Sequence, residues 1–158
     1  MRIGKIVLVT GMGLFLGLAA INNMTMSAGG FGVIGAAMGM ETTFQAPQVM
    51  WRAISSPALI WAAWGVIVLS EAVGAFYCLR GAWDMWSART SASAFNGAKS
   101  KAMLGLTITA CLYFVVFHAI AQEWFMMWQS EEVNVLQGAF RNFAGAILLM
   151  LWINTEDK

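Results

Sequence analysis

The chain has 158 residues, 59% hydrophobic and 11% charged, with a mean hydropathy of +0.68 and a formal net charge of +1. Soluble domains carry about 25% charged residues, so this composition excludes a water-soluble globule and leaves room for about four membrane spans without a soluble catalytic domain. No basic groove interleaved with aromatics is present, which argues against nucleic-acid binding, and Cys78 and Cys111 show neither disulfide nor metal-ligand spacing.

The first span is expected at about residues 4–21, behind Arg2 and Lys5. Gly13 and Gly17 form a small-xxx-small pair suited to close helix approach, either within the chain or between copies. Residues 22–56 are rich in methionine and glycine, with only Glu41 and Arg52 charged. The Gly29-Gly30 break and the short apolar stretch predict a segment lying on or dipping into the outer interface. Within it, Val49–Ile54 reads as a short interfacial helix anchored by Trp51.

Residues 57–79 are the clearest span, with Ser55-Ser56 as a cap, Pro57 in the first turn and Glu71 as the only ionisable side chain. The helix is expected to run past the hydrocarbon edge to Trp83 and Trp86, spaced i, i+3 at headgroup depth, before a flexible turn over TSASAFNGAKS. A third span is expected at about residues 102–121, with Tyr113 central and His118 near its outer end. A fourth is expected at about 138–153, with Arg141 in its first turn. The fold class is thus an all-α membrane protein, an antiparallel four-helix bundle in one domain over residues 1–158, with an interfacial outer loop. Placing both termini and the middle loop together collects Arg2, Lys5, Arg80, Arg89, Lys99, Lys101 and Lys158 against Arg52 and Arg141. This asymmetry makes both ends cytoplasmic and the protein multi-pass in a bacterial inner membrane.

The stretches INNMT, METTF, WRAIS followed by SPAL, FNGAK with GLT, EWFMMWQS and AFR resemble the family of predicted small integral membrane proteins known as domain of unknown function 2165. The likeness extends over nearly the whole chain. It implies four helices in a bacterial inner membrane and no assigned activity.

Glu71 is the first candidate for function, because a charged carboxylate near the bilayer centre is disfavoured by a few kcal/mol. It is expected to face the bundle interior in protonated form, with Thr10, Thr107 and Cys111 at similar depth. His118, the only histidine, is expected beside an outer polar cluster of Glu41, Arg52, Glu123 and Arg141 that either locks the two outer loops or holds a ligand. Trp124 and Trp128 are spaced i, i+4 and with Trp51 offer an aromatic anchor or packing face. Met24, Met26, Met38 and Met40 are a weak candidate set of thioether ligands for Cu(I), set against their simpler use as apolar filler.

The sequence carries no catalytic signature, so it reads as a non-enzymatic accessory subunit without a cofactor. Such a subunit stabilises a larger respiratory, photosynthetic or transport complex, or a homo-oligomer, in contact with membrane lipid. The alternative is a small carrier or redox helper holding a lipid, quinone or metal in an outer-leaflet pocket beside His118 and Glu123.

Overall fold

The computed structural model describes residues Met1–Lys158, all helices and connecting turns. Helix α1 covers Arg2–Thr25 and α2 Ser27–Met38; α3 is the long Pro57–Ser87, α4 the short Ala92–Gly97, α5 Ser100–Cys111, and α6 Leu136–Asn154. Beyond Cys111 the third span continues as a π-helical segment, Leu112–Trp124. Four stretches are long and apolar enough to cross a membrane: Arg2–Thr25, Pro57–Ser87, Ala92–Trp124 and Leu136–Asn154.

Glycine sets the spacing of the bundle. A Cβ at Gly81 would lie 2.2 Å from the Ala102 backbone nitrogen, and one at Gly105 2.6 Å from that of Cys78, so α3 and α5 touch backbone to backbone. Between α1 and α3, Gly13 meets Leu79 and Gly17 meets Ala75. Residue numbers rise on one helix as they fall on its partner, so these neighbours run in opposite directions. The Gly13/Gly17 face is therefore occupied by α3, which removes it as a surface for joining two copies. Val9, Leu16, Cys78, Met85, Phe95, Leu106 and Ile153, all fully buried, fill the core between the helices.

Four local expectations are corrected. The segment beyond residue 21, expected to lie on or dip into the outer interface, begins as helix: α1 runs four residues further, and α2 follows after Met26. Its glycines favour this packing, because Gly30 faces the Trp64 indole and Gly35 faces Ile60, where a larger side chain would hold α2 off α3. The TSASAFNGAKS turn contains α4, capped by the Ser91 hydroxyl and pinned by the fully buried Phe95. The helix expected at Val49–Ile54 is a single 3-10 turn, Met50–Arg52, while Ser56 precedes Pro57 without making a side-chain cap bond.

Candidate functional site

One buried polar pair joins α1 to α3 inside the bundle. Glu71 is 4% exposed, and its Oε2 accepts a 2.8 Å hydrogen bond from Asn23 Nδ2 on α1. Tyr113 is buried at the start of the π-helical segment, and Asn142 on α6 is half-buried. The expected partners are elsewhere. Thr10 and Thr107 turn their hydroxyls back to the carbonyls of Ile6 and Met103 on their own helices, and Cys111 is exposed.

Helix packing explains the mismatch. Leu79 sits against Gly13, roughly 16 Å above Arg2 at 1.5 Å per residue, and Glu71 lies about 12 Å higher again. That places Glu71 beside the upper end of α1, above the mid-depth expected from residues 57–79.

The π-helical segment carries a second polar chain toward the outer end. His118 Nδ1 pairs with Gln122 Oε1 at 2.9 Å, and Gln122 Nε2 donates to Glu123 Oε1 at 2.8 Å. His118 Nε2 is buried without a partner, within a nest of Phe114, Phe140 and Phe143 whose ring centroids lie 6.0–6.5 Å from the imidazole. π-helices are rare and occur mostly as single turns, frequently at functional sites, so thirteen residues in this form mark the segment out.

The outer charged residues do not form the expected cluster. Glu41 and Glu123 are exposed, and neither is ion-paired. Arg52 instead lies over two indoles, its guanidinium 5.5 Å from Trp51 and 5.2 Å from Trp124, with Nε buried and unpartnered. Arg141 points away from this region and lines a groove between α1 and α6. The loops are locked by other groups. Thr42 Oγ1 and Ser130 Oγ are 2.7 Å apart, the Phe44 amide donates to Gln129 Oε1 at 3.0 Å, and Ile54 donates to the Met38 carbonyl at 2.8 Å. Trp51 packs edge-on against Trp124, and Phe44 against Trp128. Trp124 and Trp128 do not share a helical face, because Met126 turns the chain with a left-handed φ of 54° between them.

The copper arrangement fails on geometry. Met24 and Met26 precede α2 and Met38 and Met40 close it, so the two pairs are held roughly 18 Å apart along twelve residues of helix. Met40 is fully buried while Met26 is 68% exposed, and the four thioethers do not converge.

At the opposite end, α1 and the chain's last residues form a clasp that sequence reading missed. Asp157 lies between Lys5 Nζ at 2.5 Å and Lys99 Nζ at 2.9 Å, with both ammonium groups also bonded to the Thr155 carbonyl. Asn96 Nδ2 donates to the Asp157 carbonyl and its Oδ1 accepts from Lys99, while Arg2 reaches the carbonyls of Arg89 and Lys158. Burial pushes the Asp157 carboxyl up, but its bonds to Lys5 and Lys99 outweigh that and hold it below the usual range.

The motif stretches that are widely separated in sequence thus meet in space: METTF with MWQS, and WRA with EWF. The family model described as "predicted small integral membrane protein (DUF2165)" matches residues 1–156. The chain belongs to the DUF2165 family. No curated protein and no solved structure matches it. For this DUF2165 chain the family assignment carries an integral-membrane character and no activity, so a function has to be argued from the geometry.

Proposed function

We propose that this protein is a non-catalytic accessory subunit that packs against a larger complex in a bacterial inner membrane, with both termini cytoplasmic. The supporting observation is the outer aromatic surface. Phe44, Trp51, Trp124 and Trp128 are each 44–73% exposed, on or beside the two outer loops, which are joined by the Thr42–Ser130 hydroxyl pair and by the Phe44 amide bond to Gln129. A rigid aromatic surface beside the membrane suits a neighbouring subunit, since such side chains give large contact area with little entropy to lose. The buried ionisable groups also serve packing: Glu71 is held by Asn23, and Lys5 and Lys99 by Asp157. The topology rests on seven basic residues against two and on the gathering of Arg2, Arg89, Lys99 and Lys158 at one end. Mild-detergent extraction from native membranes, followed by native-gel separation and mass spectrometry, tests the reading. A larger partner at fixed ratio supports it; recovery of this chain alone under conditions that keep other complexes intact refutes it.

A second reading is favoured by one observation, the unpartnered His118 Nε2 within the phenylalanine nest on the π-helical segment. In that case the protein is a small carrier, and His118 receives the polar atom of a lipid or quinone whose body lies among Phe114, Phe140 and Phe143. A bound small molecule that persists through purification and is lost in His118→Leu supports this reading; identical small-molecule content in both proteins refutes it.

A further inference from the structure

A groove of about 510 Å³ opens sideways between α1 and α6. Its floor is made by glycine: a Cβ at Gly11 would meet nothing within 4 Å, and one at Gly145 would only touch the end of Met12 at 4.0 Å. Its lower end closes where the Trp152 ring lies over Gly4, 3.0 Å from where a Cβ would be, and Arg141 and Asn142 stand at its upper end. From Arg141 to Trp152 is eleven residues of helix, roughly 16 Å, about half of a ~30 Å hydrocarbon core.

Arg141 is exposed and makes neither a hydrogen bond nor an ion pair with the rest of the chain. An arginine facing lipid without a counter-ion is costly, and its planar fork matches a phosphate. Beside it Asn142 supplies an amide. Charge decides the kind of occupant: an unpaired guanidinium and an amide at one end of an otherwise apolar groove match an anionic head on a hydrocarbon tail, whereas an apolar helix would leave Arg141 without a counter-charge.

We propose that the α1/α6 groove holds one anionic phospholipid, its phosphate on Arg141 and Asn142 and an acyl chain lying over Gly11 and Gly145 toward Trp152. The site is separate from the His118 nest and does not depend on the accessory role.

The test is native mass spectrometry of the full chain in mild detergent, exposed to phosphatidylglycerol or to phosphatidylcholine with the same acyl chains. One phosphatidylglycerol per chain is expected, retained about tenfold or more over phosphatidylcholine; that preference disappears in Arg141→Gln and is partly kept in Arg141→Lys. Gly145→Leu, which fills the groove at a site with open space, lowers retention of both lipids without changing the thermal midpoint. Equal retention of the two lipids, or a preference that survives Arg141→Gln, overturns the proposal. Displacement of the lipid by millimolar inorganic phosphate alone would show that the tail contributes nothing, and overturns it too. So would a protein partner crosslinked through Gly145→Cys in native membranes. Failure to find a larger complex on a native gel refutes the accessory reading and leaves these outcomes unaffected.

Discussion

Asn23 Nδ2 donates to the Glu71 carboxylate at 2.8 Å, joining α1 to α3 through the one acidic side chain buried among the spans. A lost partner leaves that carboxyl with an unmet hydrogen bond in a medium that supplies no water, which costs about 1–3 kcal/mol. Asn23→Leu should therefore lower the thermal midpoint in detergent. Glu71→Gln keeps an acceptor oxygen for the Asn23 amide and should stay near wild type. Combining Asn23→Leu with Glu71→Leu should recover part of the loss; strictly additive effects would show that the two residues do not act as a pair.

The clasp at the other end responds to pH with a definite sign. Asp157 has a lowered pKa in the folded chain, so the unfolded state binds more protons as the pH falls. The stabilisation is present in full above the ordinary aspartate pKa of about 3.9 and is lost as pH drops through the lower folded value. Asp157→Asn should cost about 3–5 kcal/mol near neutrality, because Lys5 and Lys99 lose their shared counter-charge while buried. The gap between the unfolding curves of the two proteins should be constant from pH 5 to 7 and narrow progressively once the pH falls below the ordinary aspartate value, closing only below the lowered folded value. A gap that does not narrow on acidification would contradict the assignment.

Glycine substitutions should sort by what lies opposite. Gly81→Ala forces a methyl into the Ala102 backbone and should destabilise by about 1–3 kcal/mol or more. Gly65→Ala and Gly11→Ala meet open space and replace a helix-interior glycine, so each should be neutral or stabilising by up to about 1 kcal/mol. Melting temperatures of the three variants in one detergent give the comparison directly.

The outer loops offer a covalent check. With their oxygens 2.7 Å apart, Thr42 and Ser130 stand where a Thr42→Cys/Ser130→Cys pair should form a disulfide under mild oxidation, read as a mobility shift that reductant reverses. Native Cys78, buried, should take no part, and a control retaining only Cys111 should show no shift.

Much of the bundle was legible because apolar runs of about 20 residues have few alternatives, and Trp83 and Trp86 correctly signalled that α3 outlasts the hydrocarbon. The site was less legible, for a geometric reason. Leu79, the last residue expected in the second span, packs against Gly13 in the middle of α1 and not at its inner end. Glu71 therefore lies beyond Thr10, beside Asn23, which falls outside the first span expected at residues 4–21. Asp157 stands in a short polar tail after the last span, where composition alone suggests a solvated end, although it is one of few acids on the lysine-rich side. Nothing in the apolar run from Leu112 to Trp124 distinguishes π from α winding, so the setting of His118 required the structure.

The link between Thr42 and Ser130 lies beyond the spans, and the edge-on packing of Trp51 against Trp124 lies at their outer end. The molecule is therefore held together in two different solvents. Urea, which acts from the aqueous phase, should open the junction between the loops while the helices stay inserted, and a harsher detergent should separate the helices first. An unfolding experiment with one perturbant reports on only one of these halves.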